Sequence, residues 1–362
     1  MCYNKFMSYI KNAKENLNEL KTKKDILVLG IESSCDETSI ALVENGRKIL
    51  SNIVASQIDI HKRFGGVVPE VASRNHINSI NNCLNLCLKE ANKTLDDIDV
   101  IAVTYGAGLI GALIVGVNFA KALAYSLNKP LIKVDHIKGH IAANYLCFED
   151  LKPPFLCLLV SGAHTEIIKV EDYNKFELIG HSLDDACGEC FDKVARVLNL
   201  EYPGGPKIEK LAKQGKKTIA FMKDNREIKH TFNFSYSGLK TAVINYIHKK
   251  QQNNEEIVVE DVCASFQEEA INELIDKTIK ASLMLGEEYN KIVIAGGVSA
   301  NSYLRETLTE KAKKENIEVF FPKISLCTDN AAMIASAGYY NFVYYENIAD
   351  LTLSPKARID LN

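Results

Sequence analysis

One order of elements occurs twice in this chain, and it dictates the fold class. Residues 26–30 are an apolar strand, 32–38 a small and polar turn, and 39–43 a second strand. Residues 155–160, 161–165 and 166–170 repeat that hairpin. Residues 100–104 then form a strand that ends in Tyr105-Gly106-Ala107-Gly108 and opens a long helix to 126; 291–295 end in Gly296-Gly297-Val298-Ser299 and open a helix at 301. A third pair follows: strand 130–134 runs into a helix at 137–148, and strand 318–321 into a helix at 329–337. Alternating strands and helices imply an α/β protein, and the repetition implies a duplicated one with two similar lobes. The cleft between such lobes is the default ligand site. The expected division is a polar N-terminal extension (1–25), a first lobe (26–150), a second lobe with a helical insertion near 172–260 (151–326), a C-terminal helix packing back at the lobe interface (327–345) and a tail (346–362).

Composition narrows the class of partner. Of the 362 residues 47 % are apolar and 25 % charged, which suits a globular protein with sizeable cores. The net charge of −3 carries no global basic field, so any nucleic-acid site has to be a local patch. Lys213-Gln214-Gly215-Lys216-Lys217 and His248-Lys249-Lys250 are the basic runs. Ten cysteines are scattered, several inside apolar runs, as expected for buried free thiols in a reducing cytoplasm. Cys187-Gly188-Glu189-Cys190 is a lone CxxC without the second pair a structural zinc site needs. No apolar leader opens the chain. The apolar stretch 108–127 approaches membrane-spanning length, but it carries Asn118 and Lys121 and lies between two strands, so it is expected as a buried helix.

His136 and His140 are four residues apart on an expected helix, so both imidazoles share one face and can reach one ion. Ile137 stands where a zinc protease has its water-activating glutamate. Thr328-Asp329-Asn330 opens the matching helix of the second half, with Asp329 or Thr328 expected as its N-cap. If the two helix starts face each other across the cleft, two histidines from one lobe and Asp329 from the other form a His₂Asp set with open positions, and the metal becomes a cross-lobe clasp.

Other motifs mark turns. Gly106-x-Gly108-x-x-Gly111 with Asp135 beyond it nearly fits a dinucleotide fingerprint, but it is not in the first βαβ unit and its counterpart reads Gly-Gly-Val-Ser. A tight turn with close helix–strand packing explains these glycines. Glu32-Ser33-Ser34-Cys35-Asp36-Glu37-Thr38 and Ser161-Gly162-Ala163-His164-Thr165 are hairpin bends whose hydroxyls and N–H groups suit phosphate. Tyr202-Pro203-Gly204-Gly205-Pro206 makes a stiff loop.

Together with Gly66-Val67-Val68-Pro69-Glu70, Ala72-Ser73-Arg74, Gly188-Glu189-x-Phe191-Asp192-Lys193, Ser235-x-Ser237-Gly238-Leu239-Lys240 and residues 296–301, these motifs resemble one family in order, from about residue 26 to about 340. It is the tRNA N6-adenosine threonylcarbamoyltransferase (TsaD) family, once labelled O-sialoglycoprotein endopeptidases. The resemblance implies a duplicated actin/Hsp70/sugar-kinase-like (ASKHA) two-lobe fold with a central cleft. It implies transfer of a threonylcarbamoyl group from its adenylate to N6 of the adenosine 3′ of the anticodon. By position it places one divalent ion, Fe(2+) or Zn(2+), on His136, His140 and Asp329. It places an adenine nucleotide (threonylcarbamoyl-AMP, or ATP/ADP) on Leu159, Val160, Ser161, Gly162, Ala163, Asp192, Gly205, Glu209 and Asn301. The implied partners are tRNA, a paralogous metal-free subunit (TsaB-like), a small P-loop ATPase (TsaE-like) and a separate synthase that makes the adenylate, with no membrane. Two positions depart from the family pattern: Ala163 replaces a glycine, which costs about 1 kcal/mol if the backbone there needs positive φ, and Asn75 replaces an acid.

On this account the metal polarises the carbamoyl carbonyl, and Asp36 or Glu37 helps take the proton of the attacking amine. A metal-dependent ATPase or nucleotide-gated scaffold of the same fold is the alternative. Sugar-kinase- and chaperone-type ATPases share the architecture but do not normally carry the His136, His140 and Asp329 set, and a scaffold without chemistry leaves that set without a purpose.

Overall fold

The computed structural model describes residues 2–221, 230–345 and 347–359. The chain divides into two compact units: Met1–Lys152 with Thr328–Leu361, and Pro153–Cys327 with the last residue.

The first unit begins with helix α1 (Cys2–Thr22), which spans most of the polar extension expected there. It is docked: Tyr9 and Ala13 are buried, and the Tyr9 hydroxyl donates to the Lys129 carbonyl at 2.8 Å. Three antiparallel strands follow, β1 (Leu27–Glu32), β2 (Glu37–Glu44) and β3 (Lys48–Ser56), so the expected hairpin is a three-strand meander. A short helix α2 (Ile58–His61) leads to α3 (Pro69–Ala91), which starts with proline at its first position and stops at Asn92 in the left-handed region. Strand β4 (Val100–Gly106) pairs parallel to β1. Helix α4 (Ile110–Leu127) is long and apolar enough to cross a membrane by composition. Here it packs against α3 and β4, with Ala112, Leu113, Gly116, Val117, Ala120 and Ala124 buried. Strand β5 (Leu131–Asp135) completes the sheet order β3-β2-β1-β4-β5 and runs into α5 (His136–Ala142).

The second unit repeats this plan. Strands β6 (Phe155–Val160), β7 (Thr165–Asp172) and β8 (Lys175–His181) form the meander. Helices α6 (Cys187–Val197), α7 (Gly204–Ala212) and α8 (Ser237–Gln252) lie in the insertion, and with α9 (Val259–Leu285) they close over one core. Strand β9 (Lys291–Ala295), helix α10 (Ser302–Lys314) and strand β10 (Glu318–Phe320) finish the sheet order β10-β9-β6-β7-β8. Read from the meander edge, both sheets run third, second, first, fourth and fifth strand, which is the duplication expected from the sequence.

The last helix, α11 (Ala331–Tyr345), belongs to the first unit and lies across β1, β2, β4 and β5 and against α5. Its residues Ala331–Gly338 are all buried. Such close contact needs a bare backbone beneath it. A Cβ on Gly30 of β1 would sit 2.2 Å from the Ala331 carbonyl oxygen, and one on Gly139 of α5 would sit 2.6 Å from Ile334 Cδ1. Glycine at these two places is what seats α11 on the sheet and beside the histidine helix.

Candidate functional site

The seating of α11 brings three side chains together. His136 opens α5, and His140 follows one turn later on the same face. The helix starts there because the Asp135 side chain caps it, accepting from the Ile137 N–H at 2.8 Å. The carboxylate that a dinucleotide site would have claimed is thus buried at the start of α5. Ile137, in the place of a protease glutamate, is buried. Asp329 lies just before α11. It is not the cap of that helix: Asn330 Oδ1 accepts from the Met333 N–H at 3.1 Å, while the Ala331 and Ala332 N–H groups go to Ser39 Oγ (2.8 Å) and Asn52 Oδ1 (3.3 Å). The carboxylate of Asp329 is left for the imidazoles. Its Oδ1 is 3.1 Å from His140 Nε2 and 3.4 Å from His136 Nε2.

Ligand atoms of His136, His140 and Asp329 all fall within 4.8 Å of one another. The two rings are nearly perpendicular (82°), with centroids 4.6 Å apart. All three residues belong to the first unit. The expected cross-lobe clasp is therefore corrected: chain order puts Asp329 after the second unit, but the chain has already returned to the first.

Glu32, at the end of β1, is the residue the sequence did not single out. Its Oε2 sits 3.0 Å from His136 Nδ1 and accepts from Thr104 Oγ1 at 2.6 Å, and the carboxylate is fully buried. Ser34 Oγ also reaches His136 Nδ1 at 3.1 Å. A carboxylate on one ring nitrogen fixes the tautomer that aims the other at a metal. Two imidazole nitrogens, one carboxylate and this orienting acid fit a divalent ion of the nitrogen- and oxygen-loving kind. Replacing Glu32 by alanine should lower metal affinity about 10–100-fold. Titrating the ion into stripped protein checks this; unchanged affinity would mean Glu32 only fills space.

The charges agree with the geometry. Burial opposes ionisation of Asp329, but the His136 and His140 rings override it and hold the carboxyl below its usual range. Burial likewise opposes charge on His136, and Asp329 and Glu32 raise its pKa well above the ordinary value. The other acids of the β1–β2 turn lie within the same field. Burial, Asp329 and Asp36 push Glu37 up to about 9. Asp36 is buried.

The residues the resemblance assigns to the nucleotide lie in the second unit, on neighbouring turns. Leu159 and Val160 are buried in β6, so only their backbone can meet a ligand. Ser161 Oγ closes the next turn by accepting from the Ala163 (3.3 Å) and His164 (3.0 Å) N–H groups, leaving Gly162 and Ala163 exposed. Ala163 is not among the residues with positive φ; the described non-glycine residues there are all asparagines. The anticipated strain at Ala163 is thus absent. Asn75 bonds within its own helix, to the Val71 carbonyl.

The turn is held from behind by the Gly188 N–H, which donates to the Ser161 carbonyl at 3.1 Å, and it lies against Gly296, where a Cβ would sit 2.5 Å from the Val160 carbonyl oxygen. Asp192 Oδ1 accepts from the Gly204 N–H at 2.7 Å and so fixes the Pro203–Gly205 turn. Glu209 accepts from the N–H and hydroxyl of Ser302, tying α7 to the start of α10. Asn301 caps α10 through Leu304 N–H (3.0 Å) and donates to Gln267 Oε1 (2.8 Å), so its side chain supports the turn. Gly205 differs from Gly204: a Cβ on Gly204 would sit 2.4 Å from Ala195 Cβ, while one on Gly205 meets nothing within 4 Å. A leucine at position 205 should therefore fold normally and weaken adenine-nucleotide binding at least about tenfold, or 1.4 kcal/mol. Calorimetry with ATP tests it, and unchanged affinity would take Gly205 out of the site.

The basic runs are partly spent locally: Lys213 pairs with Glu209, Lys217 with Glu268 and the Tyr303 ring, and Lys250 with Glu255. The cysteines whose side chains are described are free thiols, and Cys187 and Cys190 are buried.

Comparison with known proteins accords with this geometry. The chain is 56 % identical to a tRNA N6-adenosine threonylcarbamoyltransferase of Clostridium novyi over 321 residues, which is 88 % of this chain and 94 % of that protein. It is 56 % identical to one of Clostridium perfringens over 336 residues, 92 % of this chain and 98 % of that protein. Two solved structures share its fold at low identity. HypF of T. kodakarensis has a TM-score of 0.59 at 14 % identity, covering 89 % of this chain and 48 % of that one. Component A of (R)-2-hydroxyglutaryl-CoA dehydratase from Acidaminococcus fermentans has a TM-score of 0.52 at 14 % identity, covering 87 % and 98 %. The duplicated sheets are thus those of the actin-like ATPase fold. Residues 48–336 match the family described as TsaD, tRNA N6-adenosine threonylcarbamoyltransferase, and with the relatives' identity over nearly their whole length this shows that the chain belongs to the tRNA N6-adenosine threonylcarbamoyltransferase family.

Proposed function

We propose that this chain transfers the threonylcarbamoyl group from threonylcarbamoyl-adenylate to N6 of the adenosine 3′ of the anticodon, in tRNAs that read codons beginning with adenine. The observation that carries the reading is the triad His136, His140 and Asp329, backed by Glu32, in a chain of this family. A scaffold of the same fold leaves the triad without a purpose, and the relatives' names favour transfer over ATP hydrolysis.

When bound, a divalent ion on the triad supplies Lewis-acid polarisation of the carbamoyl carbonyl. The remaining work falls to side chains and turns. The Ser161–Ala163 bend, Gly205 and the Gly296–Gly297 turn bind the adenylate, and Asp192, Glu209 and Asn301 hold those turns in place. The C–N bond to the adenine amine forms as the C–O bond to phosphate breaks, and AMP leaves. The amine's proton goes to Asp36, the buried acid of the β1–β2 turn. The paralogous subunit, the small ATPase and the adenylate synthase are proposed as partners.

Incubation with ATP, threonine, bicarbonate, unmodified tRNA, the adenylate synthase and the partner proteins should yield threonylcarbamoyladenosine in the digested tRNA. This chain with tRNA alone should yield none. Full modification in a mixture that omits this chain would refute the reading.

A further inference from the structure

The turn that carries Asp36 and Glu37 is gripped from below by a buried histidine outside the metal triad. His76, in the middle of α3, is fully buried. Its Nε2 lies 3.0 Å from the Cys35 carbonyl oxygen, and its Nδ1 lies 2.7 Å from Thr38 Oγ1. These two contacts bracket Asp36 and Glu37 on both sides. A carbonyl oxygen only accepts, so Nε2 carries the proton. The neutral ring then accepts at Nδ1, and the Thr38 hydroxyl donates. Burial lowers the His76 pKa, consistent with the neutral form. A second support comes from Gln57, whose N–H donates to the Asp36 carbonyl at 3.1 Å and whose amide donates to the Ala72 carbonyl of α3 at 3.3 Å. Ser56 Oγ donates to Glu37 Oε1 at 3.2 Å. Helix α3 itself packs closely on β2 and β3, so the histidine stands on a rigid base.

We infer that His76 is a positioning residue for the transfer reaction: as a neutral Nε2–H brace between Cys35 and Thr38 it sets where the Asp36 carboxylate meets the attacking amine. The inference rests on the proposed function, because only that reaction gives Asp36 a proton to accept. The brace touches neither the metal ligands nor the nucleotide turns. Its loss should therefore act on the chemical step and leave binding alone.

The test compares wild type, His76→Leu, His76→Gln and Thr38→Val in the full mixture with tRNA and partners. Turnover should fall about 100-fold in His76→Leu, the size of an ångström-scale misplacement of a reacting group. KM for tRNA and metal content should stay at wild-type values. Glutamine can still donate to the Cys35 carbonyl, so His76→Gln should regain at least about tenfold of that loss. Thr38→Val combined with His76→Leu should be no worse than His76→Leu alone, because both break one network. Equal losses in the Leu and Gln variants, normal turnover in His76→Leu, or metal loss in step with activity would each overturn the brace. If His76→Leu does not fold, the cycle of Thr38→Val and His76→Gln decides, and additive losses overturn it. Ring-nitrogen NMR showing the proton on Nδ1 overturns it without any activity assay. Wild-type transfer with an unaffected His76→Leu refutes the brace alone; absence of wild-type transfer refutes the functional reading and this inference with it.

Discussion

A protein carrying both His136→Ala and His140→Ala is expected to purify without its ion and to lose transfer activity by about a thousandfold or more, the scale of removing a principal charge-stabilising group from a reaction centre. Two of the three ligand atoms disappear, and Asp329 alone cannot hold a divalent ion against water. The helix should survive, since Asp135 still caps α5 and Gly139 still packs on Ile334. Some stability should be lost: Glu32 keeps its bonds from Thr104 and Ser34 but loses its imidazole partner, a deficit of about 1–3 kcal/mol for a buried polar group. Elemental analysis and nucleoside analysis on one preparation check both parts. Wild-type metal content in the double variant would place the ion elsewhere.

Asp329→Ala should be nearly as damaging to metal binding, and for a cleaner reason. Asn330 is the cap of α11, and Ser39 and Asn52 take the next two N–H groups, so the helix start does not depend on Asp329. The affinity loss should exceed the roughly 10–100-fold that follows removal of a mere outer partner. An ion that binds only the folded state raises stability by RT ln(1 + [L]/Kd), about 2.7 kcal/mol at a hundredfold excess over Kd. That metal-dependent rise in melting temperature should be present in the wild type and absent in Asp329→Ala. A rise of equal size in both proteins would remove Asp329 from the ligand set.

The two halves of the fold were legible because their strands are apolar runs bounded by glycine and hydroxyl turns, in the same order twice. The third strand of each meander was not. Residues of β3 and β8 are almost all half-exposed or exposed and mix lysine, glutamate and serine with apolar positions, so no buried face announces them. The histidine pair was legible from its spacing on a short helix. The lobe of Asp329 was not. Helix α11 is apolar or small on every side, which says that it is buried and leaves open against which sheet. Gly30 and Gly139 decide that, and they lie 301 and 195 positions before Ala331 and Ile334, which they meet. The cap was ambiguous for a local reason, since Thr328, Asp329 and Asn330 can all accept from a helix N-terminus. Glu32 was hidden because its partner His136 is 104 residues away and a strand-end acid next to two serines reads as an ordinary turn.

The central claim is that one ion on His136, His140 and Asp329 is needed for threonylcarbamoyl transfer. The most direct measurement strips the wild-type protein, adds the divalent ion back in steps, and reads metal occupancy and modified-tRNA yield from each sample in the presence of the partners. The expected result is a yield that rises in proportion to occupancy, saturates at one ion per chain, and stays near background in Asp329→Ala at every step. Full yield from the stripped wild-type protein, or a yield that ignores occupancy, would contradict it.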